Sequence, residues 1–480
     1  MLPLTSLRLL VVLGLAAVVL LATTVRALRR RGAHRRLVAT ASGLACVVLV
    51  VAGTAAAVNR HFGLYRSWAS LTGVNSRDLV PAENPHALAR ATAPLPSGIA
   101  ARSHGQLLSL HVPGELSQFP ATGALVYLPP QYGAAGWGAR GFPVAEAIPG
   151  SPGKPIDYIN GMQADTQLDR AIAAHEIPPT IVVFPQSNVN VFRSLECTDT
   201  ADGYLSETYL TTDVHAWVTQ HLNTDRRRWT ILGYSTGGYC ALNLAYRHPD
   251  LFARAASLDG YMHALNDNYA RRLWPRGGAG VQARLEHSPD WWVANHHVEP
   301  VEAYISAGTR DRDSARAAVR FWELLAATGW RHPRDQLVVG EHGSHTFPAW
   351  ARSFMPALRW ALGATPPQTP ESAAQALREL GSSSGAVCTS PTAGPTPGTT
   401  PRATVTPSPG RGTGSPSPEP VPTCRYRQRP PWTPHPSATP RSAWTPSPSS
   451  TPSRVPHPDP APSSSAAPST GPSGSAPPGG

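Results

Sequence analysis

The chain has 480 residues, which allows two or three domains at roughly 100 to 200 residues each. It contains 52 Pro and 41 Gly, and more than half of the prolines follow Ala364. The two parts of the chain therefore differ in composition, which excludes one continuous globular fold.

The net charge of +11 would suggest nucleic-acid binding if the basic residues were spread over a folded domain. Residues 1–77 instead hold ten arginines and no acidic residue, which leaves 31 basic and 30 acidic side chains in the remainder. We therefore expect no nucleic-acid partner.

Two uncharged and mostly apolar runs lie near the N-terminus, at residues 9–25 and 37–58. Each is about as long as the roughly 20 residues that a membrane-spanning helix needs. The segment between them carries six arginines: Arg26, Arg29, Arg30, Arg31, Arg35 and Arg36. Short arginine-rich loops stay in the cytoplasm, so we expect a multi-pass membrane protein whose chain after the hairpin is extracytoplasmic.

Two other interpretations of this N-terminus are a cleaved signal peptide and a lipoprotein anchor at Cys46. In a signal peptide the basic residues precede the apolar run, whereas here they follow it. Cys46 lies inside the second run, and we expect its thiol to pack or to face lipid.

We divide the chain into four parts by composition. They are a transmembrane hairpin (residues 1–60), a juxtamembrane connector (61–104), a folded domain (105–362) and a Pro/Ser/Thr-rich tail (363–480). The tail has too few apolar residues to offset the entropy that a chain loses on folding, so we expect it to be disordered.

Strand and helix patterns alternate within the folded domain. Short apolar or alternating segments predict strands near Ser257 and at residues 107–112, 123–128, 142–148, 180–184, 229–232, 302–307 and 336–339. Helical patterns occur at residues 164–175, 205–222, 239–247 and 315–328, and another helix is expected from Pro348. This alternation predicts a doubly wound, mostly parallel α/β sheet, which binds ligands at the carboxyl ends of its strands.

The pentapeptide Gly233-Tyr234-Ser235-Thr236-Gly237 fits the pattern G-x-S-x-G between a predicted strand and a predicted helix. In this setting the pattern indicates a nucleophile elbow, whose small flanking residues permit the strained turn that exposes the serine hydroxyl. The alternative is a Gly-rich turn with a capping serine.

A serine hydroxyl attacks an ester only when a base takes its proton and a carboxylate orients that base. On this fold the acid follows the serine in the chain and precedes the histidine. Asp311 and Asp313 both follow the strand predicted at residues 302–307. We favour Asp311, which lies closer to the strand end, over Asp313, and Asp259 is the third candidate.

Two histidines, His342 and His345, follow the strand predicted at residues 336–339. We favour His345 as the general base. The histidines show no metal-binding spacing such as H-E-x-x-H, so we expect neither a metal nor a cofactor.

Acyl transfer also needs hydrogen-bond donors for the oxyanion that forms on the substrate carbonyl. The backbone N–H of Thr236 is the first candidate. The loop at residues 149–153 offers the second, where Gly150, Ser151 and Gly153 carry an N–H; we choose Ser151.

Five segments, at residues 123–132, 142–153, 233–249, 306–311 and 343–350, together resemble the putative esterase family of α/β-hydrolases. This family includes bacterial feruloyl esterases, S-formylglutathione hydrolase and the secreted mycolyltransferases of actinobacteria. The resemblance covers about residues 105–362 and implies an α/β-hydrolase fold.

The same resemblance implies roles for three residues: Ser235 as nucleophile, Asp311 as acid and His345 as base. Members with a membrane-spanning N-terminus and an exported catalytic domain are familiar among actinobacteria. The chain departs from the family at Pro149-Gly150, where His-Gly is common, and at Glu146 in the preceding strand.

Four cysteines lie outside the apolar runs, an even number for an oxidising compartment. We expect Cys197 and Cys240 to form a disulfide within the folded domain. Cys388 and Cys424 could pair within the tail.

Residues 259–300 carry Tyr261, Trp274, Trp291 and Trp292. This fold inserts caps over its acyl site here, so these aromatic residues either line a substrate groove or pack in the core.

These observations predict a membrane-anchored, extracytoplasmic serine esterase, with a lipid or cell-envelope ester as its substrate. An acyltransferase that uses the same triad, with a sugar or lipid hydroxyl in place of water, is the first alternative. The second is a non-catalytic cell-wall scaffold that keeps the hydrolase fold.

Overall fold

A computed structural model describes residues 3–363, except for residues 30, 31, 33, 66, 73–78, 121, 191, 226, 267–272, 297–300, 341 and 342. His342, Cys388, Cys424 and the predicted tail beyond residue 363 therefore lie outside the described residues.

The strands of the described chain form one sheet in the spatial order β1-β2-β3-β5-β4-β6-β7-β8-β9. They are β1 (Leu79–Pro81), β2 (Gln106–His111), β3 (Gly123–Leu128), β4 (Val144–Ile148), β5 (Ile181–Pro185), β6 (Trp229–Tyr234), β7 (Phe252–Leu258), β8 (Glu302–Gly308) and β9 (Gln336–Gly340). Strand β3 runs antiparallel to both of its neighbours, and every other pair in the sheet is parallel.

Helices flank the sheet and form the N-terminal hairpin. They are α1 (Leu7–Arg29), α2 (Arg35–Phe62), α3 (Trp68–Thr72), α4 (Pro85–Ala91), α5 (Asp157–Asn160), α6 (Ala164–Ala173), α7 (Ser206–Thr208), α8 (Val214–His221), α9 (Thr236–Arg247), α10 (Gly278–Glu286), α11 (Pro289–Asn295), α12 (Arg312–Ala327) and α13 (Phe347–Ala361). A π-helical segment, Tyr209–Asp213, joins α7 to α8, so these three pieces occupy the region predicted as one helix.

Two apolar cores lie on opposite faces of the sheet. Because successive side chains of a strand point to opposite faces, Val144 of β4 packs into one core and Ala145 into the other. Helices α9 and α12 cover the first core, and α6 and α13 cover the second. This three-layer arrangement around a mostly parallel sheet is the predicted α/β-hydrolase fold.

The region predicted as a connector contributes regular structure to the domain. Strand β1 pairs in parallel with β2 at the edge of the sheet. Helix α4 begins with Pro85 after Asn84, whose side chain accepts a hydrogen bond from Ala87 N at 2.9 Å. Both elements are too short for a periodic pattern to reveal in the sequence.

Helices α1 and α2 are long and apolar enough to cross a membrane, with 23 and 28 residues. They extend beyond the predicted apolar runs because arginines continue the helices at their ends. The hydroxyls of Thr24 and Ser42 lie 2.8 Å apart, and Cys46 Sγ donates to Ala17 O at 3.3 Å. The Cys46 thiol therefore packs between the two helices.

Candidate active site

Ser235 lies in the turn between β6 and α9 with φ 56° and ψ −125°. A positive φ is strained for a residue with a side chain, and it is typical of a nucleophile elbow. A Cβ added at Gly233 would lie 2.2 Å from Gly237 O, and one added at Gly237 would lie 2.1 Å from Ile148 O. Both glycines are therefore required by the close approach of the backbone around Ser235.

His345 and Asp311 complete a line of hydrogen bonds to Ser235. His345 Nε2 lies 2.8 Å from Ser235 Oγ, and His345 Nδ1 lies 2.6 Å from Asp311 Oδ2. The three side chains come from the carboxyl ends of β6, β8 and β9, which meet at one edge of the sheet. This geometry lets the imidazole accept the serine proton while the carboxylate orients the ring.

Asp311 is held by the start of helix α12 as well as by His345. It is the N-cap residue of α12, and its side chain accepts a hydrogen bond from Ser314 N at 3.4 Å. Burial by itself would raise the pKa of Asp311, but the hydrogen bonds from His345 and Ser314 outweigh burial and lower it. The carboxylate is therefore ionised at neutral pH.

The two other acid candidates make different contacts. The side chain of Asp313 is 98% exposed and pairs with Arg316 at 3.5 Å. Asp259 is buried at the end of β7 and accepts a hydrogen bond from Gly308 N at 2.7 Å. Burial and the neighbouring Asp311 carboxylate raise the pKa of Asp259. In the described structure Asp311 is thus the carboxylate that reaches His345.

Thr236 and the loop after β4 lie beside the nucleophile. Thr236 is the first residue of α9, where backbone N–H groups have no partner within the helix. A Cβ added at Gly150 would lie 3.1 Å from Ser235 Cβ, so this loop contacts the nucleophile directly. Ser151 lines the same cavity as Ser235, and its Oγ accepts from Asn188 Nδ2 at 3.4 Å.

A disulfide between Cys197 and Cys240 ties the segment after β5 to helix α9. The preceding residue, Glu196, is fully buried and accepts hydrogen bonds from Ser194 Oγ at 2.9 Å and from Tyr261 Oη at 2.6 Å. This buried network lies behind the start of α9, and no motif in the sequence pointed to Glu196.

A cavity of about 360 Å³ opens beside Ser235 and His345. Most of its large apolar lining residues come from two parts of the chain. Phe347 and Trp350 belong to α13, two and five residues beyond His345. Three more lie at the end of the N-terminal hairpin. Val58 and Phe62 belong to α2, and Leu64 lies just after it. The hairpin residues have no signal in the sequence that links them to the site.

The aromatic residues of the 259–300 region pack elsewhere. Tyr261 stacks on Tyr239 of α9 with ring centroids 4.7 Å apart, and Trp292 stacks on His296 at 3.8 Å. Trp274 Nε1 donates to Leu265 O at 3.0 Å. Tyr261, Trp274 and Trp292 are not among the described residues that line the cavity beside Ser235. They pack against the core of the domain.

A second carboxylate–histidine cluster lies at Glu207 of α7. Its carboxylate contacts Arg247 Nε at 3.0 Å, His248 Nε2 at 2.7 Å and His287 Nε2 at 3.1 Å. Burial opposes the charge, but the hydrogen bonds from both histidines and the charge of Arg247 hold the pKa of Glu207 well below its usual range. Within the described chain, no group of three or more His, Cys, Asp or Glu could hold a metal ion.

Glu146, the unusual residue of β4, is fully buried on the α9 side of the sheet. Neither of its carboxyl oxygens has a hydrogen-bond partner among the described residues. Burial raises the pKa of Glu146 to about 8, so the carboxyl group is protonated at neutral pH.

Residues 121–361, half of the chain, match the family described as Putative esterase. The chain belongs to the Putative esterase family. This membership confirms the resemblance seen in the sequence motifs and supports a carboxylic-ester hydrolase. The esterase is also similar to an uncharacterized protein of Corynebacterium glutamicum, with 25% identity over 350 residues that cover 69% of this chain and 76% of the other.

Solved structures similar to this esterase include a ferulic acid esterase, with 17% identity and a TM-score of 0.47. The match covers 54% of this chain and 98% of that one. An S-formylglutathione hydrolase from Agrobacterium tumefaciens has 17% identity and a TM-score of 0.43, covering 54% and 96%. A fluorophosphonate-binding serine hydrolase of Staphylococcus aureus has 18% identity and a TM-score of 0.45, covering 54% and 99%.

Proposed function

We propose that the protein is a membrane-anchored, extracytoplasmic serine esterase with Ser235, His345 and Asp311 as its catalytic triad. The observation that carries this proposal is the line of two hydrogen bonds, of 2.8 and 2.6 Å, from Ser235 Oγ through His345 to Asp311. Its setting on a strained elbow at a cavity makes the serine accessible to an ester.

The reaction has two steps. In the first, Ser235 Oγ bonds to the ester carbonyl carbon while His345 Nε2 accepts the serine proton; the alcohol then leaves with that proton, and an acyl-enzyme remains. In the second, His345 takes a proton from water, the resulting hydroxide attacks the acyl carbon, and the acid is released as Ser235 regains its proton. Asp311 stays ionised throughout and stabilises the imidazolium that forms in each step.

The oxyanion of each tetrahedral intermediate needs donors that point at the cavity beside Ser235. We assign the N–H of Thr236, at the start of α9, and the N–H of Ser151, in the loop that contacts Ser235. Each such donor contributes about 3 kcal/mol to transition-state stabilisation where this has been measured in other serine hydrolases.

Two observations support an extracytoplasmic site. The arginines at the end of α1 and at the start of α2 favour the cytoplasm, so α2 ends on the opposite side of the membrane, and the domain follows that end. The Cys197–Cys240 disulfide is of the kind that persists in oxidising compartments.

An acyltransferase is the second candidate, and the apolar lining of the cavity favours it because a dry site slows hydrolysis. A sugar or lipid hydroxyl would then replace water in the second step. Adding an alcohol acceptor to the purified protein and measuring ester product against free acid separates the two reactions.

The test is fluorophosphonate labelling of the purified full-length protein, read by intact mass. We expect one adduct on the parent, one on the control variant Ser109→Ala, and none on Ser235→Ala. Ester hydrolysis by Ser235→Ala should fall roughly 10⁶-fold in kcat, since a triad without its nucleophile keeps only its binding and oxyanion contributions. A folded parent that takes no adduct would overturn the proposal.

A further inference from the structure

The cavity beside Ser235 is completed by the end of the membrane-spanning helix α2. Val58, Phe62 and Leu64 face the cavity from the hairpin side, and Phe347 and Trp350 face it from the domain side. A substrate bound in this cavity therefore contacts the end of α2 as well as the nucleophile.

The end of α2 has a defined local structure and contacts the domain at the start of α13. Gly63 ends the helix with φ 69°, and its N–H donates to Asn59 O at 2.7 Å. A Cβ added at Gly63 would lie 2.5 Å from Pro348 Cδ, so the backbone of this turn touches the start of α13. The buried Asn59 side chain donates to Tyr65 O at 2.9 Å and accepts from Tyr65 N at 2.7 Å. Phe62 and Leu64 thus have defined positions relative to His345.

The apolar surface of α2 continues from the cavity toward the centre of the helix. Val47, Val51, Val58 and Phe62 are four, seven and four residues apart, spacings that place side chains on one helix face, and all four are exposed. A helix of 28 residues is roughly 42 Å long, whereas the hydrocarbon core of a bilayer is about 30 Å thick. The last turns of α2, which carry the cavity residues, therefore reach the membrane surface.

We propose that the enzyme draws its ester directly from the outer leaflet, and that α2 forms one wall of its acyl pocket. The substrate class is then membrane-resident esters with long alkyl acyl chains, whose chain passes from the bilayer along the apolar face of α2 to Phe62 and Leu64. This inference rests on the proposed function, because it assumes that Ser235 is the nucleophile.

The test compares hydrolysis of p-nitrophenyl palmitate and p-nitrophenyl acetate by the full-length protein in nanodiscs. The matched variants are Leu64→Ala, at the cavity, and Leu21→Ala on α1, a helix with no residue among those described as lining the cavity. The two leucines are 38% and 56% exposed, so neither substitution removes core packing.

For Leu64→Ala we expect the ratio of kcat/KM for palmitate to kcat/KM for acetate to fall about tenfold, because the acyl chain loses apolar contacts at one end of its path. Phe62→Ala should lower the ratio by at least as much. Leu21→Ala should leave both rates unchanged.

The remaining outcomes overturn one proposal or the other. An unchanged ratio in both Leu64→Ala and Phe62→Ala, with an active parent, would remove α2 from the acyl pocket and leave the esterase intact. An equal loss on both esters would have the same meaning, since it reports a general defect. Hydrolysis that persists in Ser235→Ala would instead overturn the proposed function.

Discussion

Two of the carboxylate–histidine clusters in the esterase have similar hydrogen bonds and different surroundings. At Asp311 and His345 the imidazole is 44% exposed, faces a cavity and has the Ser235 hydroxyl as its second partner. At Glu207 the carboxylate is 8% exposed and is shared by two histidines and Arg247.

The difference shows that a short bond between a carboxylate and a histidine does not by itself mark a catalytic site. The first cluster includes a serine hydroxyl on a strained turn and has space for a substrate. In the second, two histidines and an arginine surround one buried carboxylate. Substitutions at the first should therefore change activity, and those at the second should change stability.

Among the substitutions that test this difference between the two clusters, Asp311→Asn should have the largest effect on activity. The amide preserves the shape of the carboxylate but no longer stabilises the imidazolium, so kcat should fall roughly 10⁴-fold. Asp313→Asn is the matched control, and its exposed side chain predicts nearly unchanged kcat. Steady-state hydrolysis of p-nitrophenyl acetate measures both. A greater loss in Asp313→Asn would assign the acid to that residue.

At the second cluster, Glu207→Gln should lower stability with little change in activity. Removing the charge leaves Arg247 and two histidines without their carboxylate partner. The free energy of unfolding should fall by about 3 kcal/mol, which corresponds to roughly 6 to 12 °C in Tm for a domain of this size. Thermal melting of the full-length protein measures the shift, with the exposed Glu323→Gln as control.

The stabilisation by Glu207 also depends on pH in a definite direction. Its pKa is lower in the folded than in the unfolded state, so the contribution is present at neutral pH and is lost as the pH falls below the usual carboxyl range. The Tm difference between parent and Glu207→Gln should therefore narrow in acid. A constant difference would argue against the charge as its cause.

The smallest expected effect is the pH dependence of stability caused by Glu146, which is opposite in direction to that of Glu207. Because burial raises its folded pKa to about 8, folding favours the protonated carboxyl, and stability falls as the pH rises from the usual carboxyl range through that value. One titrating group can change the free energy of unfolding by at most about 1.4 kcal/mol per pH unit. Between about pH 6 and pH 8 the free energy of unfolding should therefore fall by about 2 kcal/mol.

Glu146→Gln removes this titration, so its Tm should change less than that of the parent over the same pH interval. Glu115→Gln, at an exposed glutamate, is the control and should follow the parent. If Glu146→Gln and the parent lose stability in parallel, another group causes the decrease.

Local patterns in the sequence were sufficient for several features of this protein. The G-x-S-x-G elbow depends on a strand, a tight turn and a helix that are adjacent in the chain, so Ser235 could be named directly. The length of the apolar runs predicts α1 and α2, and the alternation of strand and helix patterns predicts the parallel sheet. Family motifs supplied the chain order of acid and base.

Contacts between distant segments decided the rest. Asp311 and Asp313 differ by two residues, yet only the packing of α12 makes Asp311 the cap that faces His345 and turns Asp313 to solvent. Strand β1 is three residues long and is defined by its pairing with β2.

The wall that Phe62 and Leu64 add to the active-site cavity also required the tertiary structure. Composition reveals that α2 is apolar along its length, but it does not reveal where the helix ends relative to α13, which lies more than 280 residues later in the chain. The sequence by itself thus predicted the fold and the candidate triad, and tertiary packing decided which carboxylate contacts His345 and which residues line the cavity beside Ser235.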